Sequence, residues 1–328
     1  MSIVENKKWD VVALGELLID FTENGVSAQG NPLFEANPGG APCNVLAMLQ
    51  KLNRKTAFIG KVGKDAFGEQ LNSALVETGI DVTGLFMDEK VHTTLALVHK
   101  LPDGDRDFSF YREPGADMML TEEEVSDKLL ADTKIFHFGT LSMTHEGVRR
   151  ATRKAIALAR QNGALLSFDP NLRPPLWSSM ELAREQVLYG LYHCDILKIS
   201  DNEIQWLTGK EDFDEGVRWI RTLCPDISLI LLSMGRDGSR AYYRDLMMEV
   251  PAFLQANTIE TTGAGDTFCG CMLDFVCRQG LKDLDEEKLT EALRFANAAA
   301  SLVTTRKGAL RVMPERAEVE ALLRERIS

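Results

Sequence analysis

Short, nearly continuous apolar runs alternate with longer amphipathic segments along most of this 328-residue chain. Such runs, separated by helical segments, are typical of a parallel sheet that helices cover on both faces. The predicted strands span residues 11–15, 56–60, 135–138, 165–169, 196–200 and 227–233. The predicted helices span residues 43–53, 66–78, 147–162, 181–190, 214–223, 266–279 and 287–304. The sequence therefore predicts an α/β fold that binds ligands at the carboxyl ends of its strands.

Two stretches, residues 18–38 and 91–113, interrupt this alternation because they lack a helical period. Both have the composition of strand pieces joined by polar turns, and Asp103-Gly104 is a hairpin signal. They predict either a small sheet that projects as a lid or two ordinary surface hairpins. No low-complexity linker or internal repeat divides the chain. We therefore expect a single domain, residues 1–328, with lid excursions at about 18–38 and 91–113.

Composition excludes several classes of protein. No apolar run approaches the roughly 18–20 residues that a membrane span needs, and the N-terminus has no signal-peptide core. The six cysteines form no C-x-x-C pair and have no metal-binding spacing, so we expect reduced thiols and a cytoplasmic location. A net charge of −12 argues against a nucleic-acid partner. We expect no membrane partner either.

The stretch TTGAGDTF at 261–268 places a glycine-rich turn directly before a helical pattern. Backbone N–H groups at a helix start have no helical acceptor, and the helix dipole there favours anions. Asp266 would lie in or just before the first turn of this helix. The residues alone leave two interpretations, a carboxylate that only caps the helix and a carboxylate at the rim of an anion site.

Further polar residues follow predicted strands. The segment NPGGAPCN at 37–44 leads into a helix, and its glycines would let a ligand approach the backbone closely. Asn44 can donate and accept hydrogen bonds, which suits sugar hydroxyls, although a structural turn has the same signature. Asp20 could bind a polyol or lie on the surface. The segment SMGRDG at 233–238 resembles either a phosphate-binding turn or a hairpin.

Two common nucleotide-binding motifs are missing from the sequence. No G-x-x-x-x-G-K-[ST] occurs, so the chain is not a P-loop NTPase. The nearest match to a dinucleotide fingerprint, beginning at Gly263, lacks the third glycine and lies far from the first predicted strand. A dehydrogenase on the same kind of sheet is therefore unsupported.

Eight stretches, in order along nearly the whole chain, carry a resemblance to a known family. They are GGAPCN at 39–44, GKVGKDAFG at 60–68, DRDFSFYREPGADMML at 105–120, FDPNLRPPLW at 168–177, SDNEIQWLTG at 200–209, SMGRDG at 233–238, TTGAGDTF at 261–268 and TRKGA at 305–309. The chain resembles the PfkB-type (ribokinase-like) carbohydrate kinases, and among them the fructokinases most. The resemblance implies a three-layer sandwich with a mostly parallel central sheet and a small β-sheet lid.

The resemblance also implies roles for individual residues. Asp266 would be the base that takes the proton from the sugar hydroxyl, and the amides of residues 263–266 would form the anion hole. That hole consists of Gly263, Ala264, Gly265 and Asp266. The implied sugar contacts are Asp20, Gly39, Gly40 and Asn44, with Arg112 and Arg173 as further sugar or phosphate contacts. The implied nucleotide site consists of Ser233, Gly235, Gly238 and Asn297.

The chain departs from the family pattern at two positions. Glu203 matches the glutamate of an Asn-x-x-Glu motif that binds Mg²⁺ through water, but Ser200 occupies the asparagine position. Glu260 stands where the family often has an aspartate of a monovalent-cation site. The implied potassium site would consist of Glu260, Thr262, Arg306 and Gly308. Each carboxylate could instead be an ordinary surface group.

The resemblance implies an enzyme that uses ATP and Mg²⁺ to phosphorylate a primary hydroxyl of a free ketohexose, D-fructose above all, giving fructose 6-phosphate. It also implies a homodimer formed through the lid. A related kinase acting on another sugar, on 2-keto-3-deoxygluconate or on a nucleoside is the alternative within this class. A catalytically silent protein that binds a sugar or a nucleotide on the same fold is the alternative outside it.

Overall fold

The computed structural model describes residues 6–100 and 106–325, so the hairpin predicted at Asp103-Gly104 lies outside the described residues. Its strands are β1 (Trp9–Leu14), β2 (Leu18–Val26), β3 (Pro32–Gly39), β4 (Thr56–Gly63), β5 (Asp81–Asp88), β6 (Leu95–Lys100), β7 (Arg106–Tyr111), β8 (Thr133–Gly139), β9 (Leu165–Asp169), β10 (Ile196–Ser200), β11 (Leu229–Ser233), β12 (Ser239–Tyr243) and β13 (Leu246–Val250). Its helices are α1 (Ala41–Lys51), α2 (Ala66–Thr78), α3 (Asp127–Ala131), α4 (Glu146–Gln161), α5 (Met180–His193), α6 (Asp201–Thr208), α7 (Phe213–Leu223), α8 (Ala264–Gln279), α9 (Glu286–Val303) and α10 (Arg316–Glu325).

Nine strands form the central sheet, in the order β13-β12-β11-β10-β9-β8-β1-β4-β5. Every pairing is parallel except β11 with β12 and β12 with β13. All six predicted strands are present, and those at 165–169 and 196–200 have the predicted ends. The predicted α/β class and mostly parallel sheet are therefore confirmed.

Helices cover both faces of this sheet. Alternate residues of β1 pack into the two apolar cores that lie on its two faces. Val11 and Ala13 belong to one apolar core, to which α1, α8 and α9 also contribute. Val12 and Leu14 belong to a second core, to which α4, α5 and α7 contribute. All four side chains are fully buried. Because successive strand residues point to opposite faces, β1 is buried between two helical layers, and the predicted three-layer sandwich is confirmed.

The two stretches that interrupt the alternation form one separate sheet of four strands in the order β3-β2-β6-β7. β2 pairs antiparallel with β3, β6 pairs antiparallel with β7, and a parallel pairing between β2 and β6 joins the two hairpins. The predicted small sheet is thus present, and the alternative of two unconnected hairpins is wrong. Within the described residues, none of the helices combines the length and apolarity that crossing a bilayer requires.

Candidate active site

The site lies where the parallel strands end. Residues just after β1 and β9, and at the ends of β10 and β11, meet the turns that precede α1 and α8. They line a larger cleft of about 520 Å³ and a smaller one of about 300 Å³. The two clefts share Asn171, Arg173, Lys198 and Gly265. The structure therefore provides two adjoining binding spaces.

Most of the predicted site residues line one of these two clefts. Of the predicted sugar contacts, those that line the larger cleft are Asp20, Gly40, Asn44 and Arg173. Of the predicted nucleotide and magnesium residues, those that line the smaller cleft are Ser233, Gly235, Gly238, Asn297 and Glu203. Asp266 lines the larger cleft, and Gly265 next to it lines both.

A glycine in the left-handed region starts the helix that carries Asp266. Gly263 is the N-cap of α8 with φ of +79°, and a Cβ atom there would come within 2.8 Å of the Ala309 Cβ. The N–H of Ala264 donates to the carbonyl of Thr261 at 3.2 Å. The geometry of a helix start leaves the N–H groups of Gly265 and Asp266 without acceptors inside the helix. The first turn of α8 can therefore present backbone donors to an anion.

Within the described residues, the Asp266 carboxylate makes no hydrogen bond to the backbone of its own helix. Its Oδ2 instead accepts a hydrogen bond from Asn44 Nδ2 at 2.8 Å. Burial raises the pKa of Asp266, while the hydrogen bond from Asn44 and the charges of Lys198 and Arg173 oppose the rise. A carboxylate whose pKa is raised toward neutrality is a better proton acceptor.

Asn44 is buried, and its two amide atoms differ in their contacts. Nδ2 is bonded to Asp266, but Oδ1 is buried without a hydrogen-bond partner among the described residues. A buried acceptor without a donor costs about 1–3 kcal/mol. The cleft therefore offers a bound hydroxyl or amine an acceptor beside the Asp266 carboxylate.

Gly39 and Gly40, directly before α1, allow close packing against Asp20 and Glu16. A Cβ atom on Gly39 would lie 2.2 Å from Asp20 Oδ2, and one on Gly40 would lie 2.4 Å from the carbonyl oxygen of Glu16. Gly40 also has φ of +122°, which L-residues rarely adopt. The pair lets the segment between β1 and β2 lie directly against the start of α1.

Lys198 is a site residue that the sequence reasoning missed. It lies on β10, is 7% exposed, and its Nζ is 3.0 Å from Asp169 Oδ2. Burial lowers the pKa of Lys198, but the nearby carboxylates of Asp169, Glu203 and Asp266 outweigh that effect and raise it overall. Lys198 is therefore a fixed cation on the wall between the two clefts. A lysine inside the apolar run Ile-Leu-Lys-Ile was the signal that could have identified it.

Asp169 and Glu16 were missed as well. Burial raises the pKa of Asp169 to about 7, with the charge of Lys198 opposing the rise. Glu16 is 4% exposed and lines the larger cleft. Each carboxylate lies at or just after the end of a buried parallel strand, where this fold binds its ligands.

Glu203 and Ser200 form the capping box of α6. The N–H and the hydroxyl of Ser200 both donate to Glu203 Oε2 at 2.8 Å. The N–H of Leu172 donates to Glu203 Oε1 at 2.7 Å. Ser200, which stands in place of the family's asparagine, thus makes two hydrogen bonds to the glutamate. Glu203 also fixes the segment that carries Arg173.

The residues predicted to bind potassium lie near each other, and Glu260 and Arg306 make hydrogen bonds to other protein groups. Glu260 is 6% exposed, and its Oε1 accepts a hydrogen bond from the N–H of Gly308 at 2.7 Å. Arg306 donates to the carbonyl of Val312 at 2.9 Å and to Glu318 Oε1 at 2.5 Å. Among residues 6–100 and 106–325, no cluster of three or more His, Cys, Asp and Glu side chains could hold a metal ion.

Arg112 and Asn297 have structural partners. Arg112 is 5% exposed and lines neither cleft; its Nη2 lies 2.7 Å from Asp117 Oδ2. Its sugar or phosphate contact stays a prediction. Asn297 Nδ2 donates to the carbonyls of Val250 and Pro251 at 3.0 and 3.2 Å, and its Oδ1 accepts a bond from the Ser239 hydroxyl. Asn297 thereby fixes the end of β13 beside the smaller cleft.

Comparisons with known proteins agree with this geometry. Residues 8–316 match the pfkB family of carbohydrate kinases. The chain therefore belongs to this family of kinases. It is 41% identical to fructokinase-1 of Zea mays over 315 residues, which cover 95% of this chain and 97% of the relative. The predicted family and enzyme class are thus confirmed.

Two solved structures have the same fold. The fructokinase of Xylella fastidiosa with bound ATP matches with a TM-score of 0.88 and 32% identity, over 97% of this chain and 99% of the other. A fructokinase double mutant of Vibrio cholerae O395, in a form with bound fructose, ADP and potassium ion, matches with a TM-score of 0.87 and 28% identity. That match covers 98% of this chain and 100% of the other.

The buried ion pair can be tested for separate effects on stability and turnover. Lys198→Met leaves the Asp169 carboxylate buried and unpaired, so we expect the free energy of unfolding to fall by about 3–5 kcal/mol. Lys198→Met with Asp169→Leu replaces the whole pair by apolar groups and should recover most of that loss. Phosphoryl transfer should still be slower than in the wild type by about 100-fold or more, since a fixed cation is missing.

Urea denaturation of both variants measures the stability term, and a coupled ADP-release assay measures turnover. The double variant is the control, because it separates the loss of the cation from the cost of an unpaired carboxylate. Wild-type turnover in a stable double variant would contradict a role for Lys198 in phosphoryl transfer.

Proposed function

We propose that this chain is an ATP-dependent fructokinase that phosphorylates the primary hydroxyl of D-fructose to give fructose 6-phosphate. The observation that carries the proposal is the position of the Asp266 carboxylate. It stands in the first turn of α8, bonded to Asn44, beside the wall that separates two adjoining clefts. One cleft has the polar lining of a polyol site, and the other has the glycine-rich lining of a phosphate site.

The sugar would occupy the larger cleft. Asp20 supplies a carboxylate there, and the unpaired Oδ1 of Asn44 suits a sugar hydroxyl as its donor. Leu18 of β2 and Phe110 of β7 also line this cleft, which supports a lid role for the small sheet. A relative of the same fold was solved with fructose bound, which supports fructose over other polyols.

Asp266 would take the proton from the sugar hydroxyl as that oxygen attacks the terminal phosphorus of ATP. The raised pKa of Asp266 suits a general base. Of the N–H groups of residues 263–266, that of Ala264 already donates to the Thr261 carbonyl. The others would stabilise the negative charge that spreads over the transferring phosphoryl group. Lys198 and Arg173 line both clefts, so their positive charges lie along the path of transfer.

The nucleotide phosphates would lie in the smaller cleft near Ser233, Gly235 and Gly238, with Asn297 at the adenine side. Mg²⁺ would neutralise part of the charge of these phosphates. Glu203 lines this cleft, and its carboxylate suits contact with the ion through water. Both Glu203 oxygens already accept hydrogen bonds, so the carboxylate is held in place for that contact.

Glu260, Thr262, Arg306 and Gly308 would surround a potassium ion. The carboxylate of Glu260 is buried beside the backbone of Gly308, which brings an anionic oxygen close to potential carbonyl ligands. Three of the cleft-lining residues, Glu260, Thr261 and Thr262, directly precede the Gly263 turn. A cation there would add positive charge near the start of α8. A fructokinase of the same fold was solved with a potassium ion bound, which supports a potassium site in this chain.

A substrate panel at fixed ATP tests the reaction. We expect D-fructose to give the highest kcat/KM, because a site built to bond hydroxyls rejects analogues that leave its polar groups unpaired. The panel includes other hexoses, 2-keto-3-deoxygluconate and nucleosides, and ADP release is the readout. A higher kcat/KM for one of these would identify the related kinase instead, and ADP release that no substrate stimulates would indicate a catalytically silent protein.

The catalytic base has its own test. Asp266→Asn keeps the size of the side chain but removes its basicity, so we expect turnover to fall by several orders of magnitude. Binding of fructose and ATP, measured by calorimetry, should stay within a few-fold of the wild type. Asp212→Asn, at the cap of α7 and away from both clefts, is the matched control. Near-normal turnover of Asp266→Asn would remove this residue from the role of base.

We also propose a cytoplasmic homodimer formed through the small sheet. The six cysteines are free thiols, five of them buried, which suits a reducing compartment. Apolar side chains on the small sheet are exposed, including Val26 at 63%, Phe34 at 43% and Tyr111 at 62%. β3 and β7 are the edge strands of this sheet, and a second copy of the same sheet would cover their exposed apolar side chains.

Light scattering tests the dimer. We expect twice the chain mass at working concentrations, and a shift toward the monomer in Phe34→Glu, because the charge would be buried in the interface. Met247→Glu is the matched control, since Met247 is 40% exposed on the edge strand β13 of the central sheet. A monomeric mass for the wild type, or equal shifts in both variants, would contradict the proposal.

A further inference from the structure

Glu16 is a buried carboxylate that the proposed phosphoryl transfer does not use. It follows β1 within the short segment that leads into β2, and it lines the larger cleft together with Asp20, Asn44 and Asp266. Only 4% of its surface is exposed. A carboxylate is rarely buried without a partner that repays the loss of water.

The Glu16 carboxylate is bonded to its own backbone N–H and to the start of α1. Its Oε1 accepts a hydrogen bond from the N–H of Ala41, the first residue of that helix, at 2.9 Å. Gly40 makes this contact possible, because any Cβ atom there would come within 2.4 Å of the Glu16 carbonyl oxygen. The same helix carries Asn44, so Glu16 and the sugar-facing part of α1 are held in one arrangement.

Capping alone does not explain a carboxylate at this position. Serine, threonine or asparagine can cap a helix without the cost of burying a charge. Burial raises the pKa of Glu16 to about 7, with Asp117 adding to the rise and Arg112 opposing it. A carboxyl group near half-protonation can accept a hydrogen bond from a hydroxyl and can also donate one.

We propose that Glu16 contacts the sugar and that its carboxyl group bonds a hydroxyl other than the one that is phosphorylated. The inference rests on the proposed function and adds a second carboxylate, next to Asp20, to the sugar site. Asp266 serves the reacting hydroxyl, so Glu16 acts on binding and specificity and not on the chemical step. Its loss should therefore raise the KM for fructose more than it lowers kcat.

Glu16→Gln is the variant that tests this role. The amide keeps an acceptor for the Ala41 N–H, but it turns an NH₂ donor group toward the place where the carboxylate offers an acceptor. We expect the KM for fructose to rise about 10–100-fold, while kcat and the KM for ATP stay within about threefold. ADP release is measured with fructose varied at saturating ATP, and then with ATP varied at saturating fructose.

Asp212→Asn is the matched control, because Asp212 also caps a helix through a carboxylate, with Glu215 N–H as the donor at 2.8 Å, and lies outside both clefts. Its KM values should equal those of the wild type. Fructose analogues that each lack one hydroxyl give a further readout. One of them should bind more weakly to the wild type than fructose does and should bind equally to wild type and Glu16→Gln, since the contact is already missing.

An unchanged KM for fructose in Glu16→Gln would overturn the inference and leave Glu16 as a helix cap. Parallel losses in kcat, both KM values and melting temperature would overturn it too, because they indicate a structural role. Both outcomes leave the proposed function intact if the wild type phosphorylates fructose. A wild type that phosphorylates no member of the substrate panel would overturn the proposed function, and this inference with it.

Discussion

The hydrogen bond from Asn44 to Asp266 joins two helices that are more than 200 residues apart in the chain. It is short, at 2.8 Å, and it connects the first turn of α1 to the first turn of α8. Because α1 and α8 pack into the same apolar core, that core fixes the position of the carboxylate. Through this bond, the side chain of one helix holds the carboxylate that the other helix carries. The geometry of the site thus follows from helix packing.

Both helices begin at a glycine with positive φ, Gly40 at +122° and Gly263 at +79°, and both glycines line the larger cleft. Two helix N-termini therefore converge on one space, where their dipoles favour negative charge. Of the two, the start of α8 also borders the smaller cleft through Ala264 and Gly265, so it would favour the phosphates of a nucleotide there despite the net charge of −12. The positive field is local and is built from backbone groups together with Lys198 and Arg173.

The sequence predicted six of the nine strands of the central sheet and missed β5, β12 and β13. Strands 165–169 and 196–200 have the predicted ends because both are apolar on two faces and are followed by polar residues. β5 and β13 are the two edge strands of this sheet, where a continuous apolar run is not needed. β12 is an inner strand that pairs antiparallel with both of its neighbours, and its run contains Arg240. The pairing of β2 with β6 also could not be predicted, because it joins residues far apart in the chain without a sequence signal. The helix α6 was too short for a periodic pattern to be recognised.

The sequence also identified only some of the charged and polar residues of the site. Asp266, Asp20 and Asn44 belong to motifs and were predicted, whereas Lys198 and Glu16 have no motif and depend on their surroundings. A buried charge in an apolar strand is costly unless it is paired, so its presence is itself a sign of function. Lys198 is paired with Asp169, and Glu16 is bonded to the start of α1.

The carboxylates Glu16 and Asp20 line only the larger cleft, while Lys198 and Arg173 line both. Glu16 and Asp20 are thus on the side of the larger cleft, and the cations lie on the wall that the two clefts share. In the proposed reaction, this arrangement would place the neutral sugar beside the two carboxylates and the anionic phosphates beside the two cations.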